Sequence, residues 1–175
     1  MKMIRKILIA TLLLSFRFIS YSQSSNDWDK LGALKGEWIG EGSGQPGQGE
    51  GAFTFDYSLD KKIMVRKNHS SYPASGTKPA VSHDDLMVIY SSSKSGPLQS
   101  IYFDNEGHVI NYAIHIIEDN KSIQFVSNPQ ANQPGFRLTY QFTDMDHVQI
   151  VFEISPDGKA DHFKTYLKGS ALKKK

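Results

Sequence analysis

His162, Lys164 and Tyr166 stand at alternate positions near the end of the chain, so on an extended strand an imidazole, an ammonium and a phenol share one face. Turned into an apolar hollow, those three tips would hold the polar or anionic end of a small molecule. An interior Lys needs a partner or a shifted pKa, so its burial would itself point to a ligand. Asp104 and His108 flank Asn105-Glu106-Gly107. A carboxylate against an imidazole sets its tautomer, and the same pair also serves as a plain turn stabiliser. Tyr102, Tyr112 and Tyr140 offer apolar rings with hydroxyl tips, the pattern of a cavity lining. Arg66 and Arg137 suit a carboxylate clamp, although a solvated, outward arginine is the default reading of each.

Other chemistries are excluded or unsupported. The 175-residue chain has no cysteine, which removes disulfides, thiolate metal sites, iron–sulfur clusters and cysteine nucleophiles. Six glycines between Gly40 and Gly51 superficially resemble a phosphate loop, but no Lys-Ser/Thr and helix follow. There is no Gly-x-Ser-x-Gly elbow and no His-Glu-x-x-His. A metal site would have to be assembled across strands.

Hydrophobic residues make up 39% of the chain and charged residues 22%, a balance that argues for a packed domain rather than disorder. The first 22 residues read as a secretory signal peptide. Lys2, Arg5 and Lys6 precede an apolar run, Ile7 to Phe16, too short for an ordinary membrane span, and Ser20 and Ser22 suit cleavage before Gln23. The expectation is therefore an exported protein, periplasmic or extracellular, with residues 23–175 forming one domain and no integral membrane span after cleavage. Of 20 basic residues, Lys2, Arg5, Lys6 and Arg17 leave with the signal, and none of the 18 acidic ones does. The remainder is slightly acidic, which speaks against a nucleic-acid partner.

After one short helical turn at Asp27 to Leu34, runs rich in Val, Ile, Phe, Tyr and Thr recur between Gly, Pro, Asp and Asn. Ten strands are expected near 36–43, 50–59, 62–71, 84–92, 97–104, 108–118, 121–127, 136–143, 147–154 and 159–168. Short turns make neighbours antiparallel, and a long series of hairpins leaves two open edges unless it closes. The predicted fold is all-β: a ten-stranded antiparallel up-and-down β-barrel, with a two-sheet sandwich as the alternative. Ten strands enclose more space than side chains fill completely.

Turn chemistry fixes the inner face. Asp104 to His108 and Ser155 to Lys159 both fit three-residue loops with Gly in the left-handed region. The first, together with the next hairpin turn near Asp119-Asn120, places Leu98, Tyr102, Ile110, Tyr112, Ile114, Ile116, Ile123 and Phe125 inside. The second puts His162 opposite Phe152, Lys164 opposite Ile150 and Tyr166 opposite Val148. A four-residue loop would instead send Phe163 and Leu167 inward; turn chemistry favours the first register and hydrophobic matching the second. The longer loops and His69, His83, His108 and His162 gather at one mouth of the barrel.

Gly36-Glu37-Trp38-Ile39-Gly40-Glu41-Gly42, after the short helical turn, resembles the start of calycin barrels: lipocalins, fatty-acid-binding proteins and nitrobindins. The resemblance extends to nitrobindin-like, exported bacterial lipocalin-like domains of unknown function. It implies that Trp38 plugs the base. Lys164-Thr165-Tyr166 resembles the inward basic–Tyr pair of fatty-acid-binding proteins, with Lys for the usual Arg. In nitrobindins a late-strand His holds haem iron, and His162 is its nearest counterpart, although its spacing to Tyr166 departs from that pattern. The leading expectation is a non-catalytic barrel binding a small apolar or amphipathic ligand, with His162, Lys164, Tyr166, Tyr102, Tyr112, Tyr140, His108, Asp104 and Trp38 as binding residues and no assured cofactor. The alternatives are a haem- or metal-binding barrel using mouth histidines, with His162 as haem ligand, and a His-based enzyme.

Overall fold

A computed structural model describes residues 27–42, 49–93, 96–117, 121–128 and 133–175. The segment expected to be a signal peptide, most of the Gly-rich loop after the first strand and the expected turn at Asp119-Asn120 lie outside the described residues. A helical turn, α1 (Asp27–Lys30), runs into a 3-10 turn (Leu31–Leu34). Ten strands follow: β1 (Gly36–Gly40), β2 (Glu50–Ser58), β3 (Ile63–Tyr72), β4 (Val81–Ser91), β5 (Leu98–Asp104), β6 (Val109–Ile117), β7 (Ser122–Ser127), β8 (Gly135–Phe142), β9 (His147–Ser155) and β10 (Lys164–Lys173). Each strand pairs antiparallel with its neighbours in sequence. The ribbon closes where β1 meets β10, with Trp38 opposite Lys173 and Gly40 opposite Ala171. Closure leaves no unpaired edge.

The base of this ring is filled. Leu31 and Leu34 from the N-terminal turns are fully buried, and the Trp38 indole N–H donates to the Leu34 carbonyl at 2.8 Å. Trp38 stacks on Phe53 with centroids 6.1 Å apart, and Phe55 meets Tyr140 edge-on at 5.5 Å. Met64, Met87, Ile89, Ile123, Phe125 and Val148 complete this layer. Burying each such side chain contributes about 1.5–3 kcal/mol. Trp38 thus sits where a base plug must.

The β5–β6–β7 face follows the predicted register: Tyr102 lies opposite Ile110, Ser100 opposite Tyr112, Ile114 opposite Phe125 and Ile116 opposite Ile123. Gly107 and Gly158 take the positive φ values of 91° and 74° that three-residue loops demand.

The last strand requires a correction. The turn at Pro156 forms, with the Gly158 N–H donating to the Ser155 carbonyl at 3.2 Å, but the chain does not re-enter the ladder there. A second turn intervenes, in which the His162 N–H donates to Lys159, and β10 starts five residues later than predicted. Lys164 falls opposite Ile154, and after a bulge Leu167 falls opposite Phe152, Gly169 opposite Ile150 and Ala171 opposite Val148. Neither register considered from sequence is adopted. The detour lets Phe163 cover the outer Arg137, whose guanidinium carbon lies 4.3 Å from the ring centroid. It also sets small and apolar residues across from the apolar face of β9, the matching that fixes register.

Candidate functional site

Cross-strand partners share a face, so the inner wall can be read from the register. On β3, Arg66 lies between Phe55 of β2 and Met87 of β4. It therefore points inward, and it is 7% exposed. The tight β2–β3 turn makes this unavoidable: once Phe53 and Phe55 are in the core, the residues opposite them, Asn68 and Arg66, are inside as well.

An isolated cation cannot remain charged there, and the neighbouring strand supplies its partner. Arg66 donates through Nη1 to Asp85 Oδ1, and both side chains are almost completely buried. Asp85 Oδ2 accepts from Asn68 Nδ2 at 2.9 Å and lies 3.4 Å from His83 Nε2. The same nitrogen lies 3.1 Å from the Tyr102 hydroxyl, and His83 Nδ1 lies 3.1 Å from Glu106. Tyr102 donates to Asp104 Oδ2 at 3.3 Å, and that oxygen meets His108 Nδ1 at 2.8 Å. A connected polar wall thus runs across β3, β4 and β5 from the buried Arg66 to the exposed His108 at the rim.

Burial is the largest influence on this wall. It raises the Asp85 carboxyl above the ordinary carboxylate range despite Arg66 beside it. It raises the Tyr102 and Tyr112 phenols and pushes Tyr140 up to about 12, against the pull of the Arg66 cation. All three phenols therefore stay protonated donors at neutral pH. Burial also raises Asp104, but the backbone N–H and side chain of His108 more than offset it, and its carboxyl lies below the usual range.

Three inward polar atoms on this wall and the strand facing it have no hydrogen-bond partner: Arg66 Nε, Ser100 Oγ and the Tyr140 hydroxyl. Ser100 is 1% exposed and Tyr140 fully buried. Above them, towards the long loops, inner-face residues are only half-buried: Tyr102, Ile110, Phe136, Ile150 and Phe152. A Cβ built on Gly169, across from Ile150, would meet no heavy atom within 4 Å. The mouth half of the lumen is therefore less tightly filled than the base, and the unpartnered atoms, each shielded from solvent, lie beneath it. Opposite the polar wall, Phe136 stacks on Phe152 at 6.1 Å, and Tyr166 meets Phe152 edge-on at the same distance.

Of the residues singled out from sequence, the structure brings Tyr102, Tyr112, Tyr140 and Asp104 together around this lumen. Asp104 and His108 pair as anticipated, and the Glu106 and His108 N–H groups donate to Asp104, so the pair closes the β5–β6 turn. His162, Lys164 and Tyr166 do not enter the barrel together. His162 precedes β10, is exposed, and lies 2.9 Å from Asp157. Lys164 is exposed at the rim, and Tyr166, aimed by the bulge, is 73% exposed. Of the four mouth histidines, His83 lines the lumen, while His69 faces outward against Asp84. Among the described residues no group of three or more His, Cys, Asp or Glu is placed to hold a metal ion. Sequence reasoning missed Asp85, Asn68 and Ser100, placed His83 at the mouth without a partner, and gave Arg66 an outward position by default although it named the residue as a carboxylate clamp. The spacing across the Asp60 turn carried the signal for Arg66, since parity with Phe55 makes it internal.

Outside the lumen, a groove of about 390 Å³ lies at the tip of the β3–β4 hairpin, lined by residues including Glu50, Tyr72, Pro73 and Val81.

Compared with protein-family models and with curated proteins, the chain finds no match. Among solved structures it is similar to Rv2717c from M. tuberculosis at 12% identity and a TM-score of 0.59, covering 84% of this chain and 96% of that one. It is also similar to the S-type phycobiliprotein lyase CPES from Guillardia theta at 9% identity and a TM-score of 0.46, covering 84% and 92%. The first likeness bears on the fold alone, and the closed ten-strand ring is calycin-like.

Proposed function

We propose that this barrel binds a small, largely apolar molecule, which enters through the long-loop mouth and sets its polar end on the floor formed by Arg66, Ser100 and Tyr140. One observation carries the reading: three inward polar atoms from three strands are buried without partners beneath the half-buried inner residues of the mouth. Leaving a buried donor unpaired costs about 1–3 kcal/mol, a penalty that a ligand oxygen removes. Tyr102, Tyr112 and Ile110 supply one apolar lining, and Phe136, Ile150 and Phe152 another. Burial of ligand surface there contributes roughly 25 cal/mol per Å² of apolar area before the cost of association.

Export belongs to the same reading. It rests on the basic start and apolar run of residues 1–22, and intact mass of protein recovered outside the cytoplasm tests it, since cleavage before Gln23 sets the expected mass.

Native mass spectrometry of the purified protein tests the binding reading. A small molecule of constant mass, released on denaturation and absent from Gly169→Phe, is the expected result. Protein that is empty in repeated preparations and takes up no added amphiphile would overturn it.

A further inference from the structure

We propose that the lumen floor selects an uncharged head group bearing acceptor oxygen, such as an amide, ketone or alcohol, over a carboxylate or phosphate. This deepens the binding reading and rests on it.

The argument is one of charge and hydrogen-bond capacity. Fatty-acid-like recognition needs uncompensated positive charge inside the barrel. Among the described residues the one buried cation, Arg66, is already bound to Asp85, and Asp104 lies on the same wall with its side chain 4% exposed. His83 lies between Asp85 and Glu106, so the charged groups facing it are carboxylates. The wall thus offers an entering anion no net attraction. A second carboxylate beside Asp85 also meets the like-charge penalty that makes two buried carboxylates share one proton.

A cationic head group fares no better, because the free edge of the floor is Arg66 itself. What the floor lacks is an acceptor. Arg66 Nε–H only donates, and the Tyr140 and Ser100 hydroxyls each have a proton without an acceptor. Tyr140 reaches from β8 across the lumen to lie beside the Arg66 guanidinium. A neutral carbonyl or hydroxyl oxygen seated there accepts from these donors and brings no charge into the barrel.

The test is calorimetric titration of the purified protein at neutral pH with two matched pairs: octanamide against octanoate, and 3-phenylpropanamide against 3-phenylpropanoate. The inference predicts that each amide binds at least about tenfold more tightly than its acid. Tyr140→Phe should weaken the amide about three- to tenfold, the worth of one hydrogen bond, and leave the acid unchanged. Asp85→Asn, where it folds, should shift the preference towards the acid by freeing the Arg66 charge. Acids binding as well as or better than amides would overturn the inference while leaving the binding reading intact. If neither pair binds but a co-purified molecule is present, the head-group assignment fails alone. If the protein is also empty, both fail.

Discussion

The Tyr140 hydroxyl lies beside the Arg66 guanidinium although β8 and β3 are five strands apart in either direction around the ring of ten. The two residues span the full width of the barrel, and the guanidinium is close enough to favour the phenolate, yet no contact of proper hydrogen-bond distance and angle reaches the hydroxyl. Their meeting lies in the buried part of the interior, beneath the half-buried inner residues of the mouth, and it gathers unpartnered donors there.

Tyr140→Phe keeps the ring packed against Phe53, Phe55 and Phe125 and removes only the hydroxyl. Because that group is buried and unpaired, its loss should stabilise the ligand-free protein by about 1 kcal/mol. Urea denaturation measures this. A loss of stability of similar size would mean that the hydroxyl is satisfied in solution.

Arg66 and Asp85 should be strongly coupled. Arg66→Met alone leaves a buried carboxylate, and Asp85→Leu alone a buried guanidinium; each should cost about 3–5 kcal/mol, whereas the double variant should come within about 1–2 kcal/mol of wild type. A double-mutant cycle by chemical denaturation checks this.

The two lumen carboxylates should leave opposite marks on the pH dependence of stability. Asp85 has a raised folded pKa, so its contribution is fully present below the ordinary carboxylate value and is lost as pH rises through the folded value. Asp104 has a lowered one, so its contribution is present above the ordinary value and is lost as pH falls through the folded value. Asp104→Asn should therefore flatten the fall in stability below about pH 4. Denaturant midpoints recorded across that range decide it.

Gly169→Phe should fill the mouth half and abolish ligand uptake with a melting temperature near that of wild type, since a strand position tolerates an aromatic and nothing stands within 4 Å. His162→Ala, which removes an exposed ring held by Asp157, should leave uptake unchanged. Comparing uptake by the two variants separates a lumen site from a rim site.

Most of the architecture was legible because the inner face repeats every second residue and the turns use Gly, Asp and Asn where they must. Tyr102 opposite Ile110 and Ile116 opposite Ile123 followed from turn length alone. The last strand was not legible. The signal at Pro156-Asp157-Gly158 is genuine, but a turn dictates register only where pairing resumes directly after it. Here residues 159–163 make a second turn and cover Arg137 instead. The centre of the site was missed for a different reason. Composition makes an outward arginine the default, and only the parity of Arg66 with Phe55, Met64 and Met87 shows that it is internal. Asp85 then follows from its parity with Met87, and its partner follows from burial.

The most direct test follows the tyrosine ring resonances of the purified protein during titration with octanamide. Tyr102, Tyr112 and Tyr140 should shift together and saturate together, while Tyr72 in the outer groove and Tyr90 stay in place. Saturable shifts at Tyr72 with the three lumen tyrosines unmoved would contradict the account, because the ligand would then sit on the β3–β4 hairpin and not on the floor beneath the mouth.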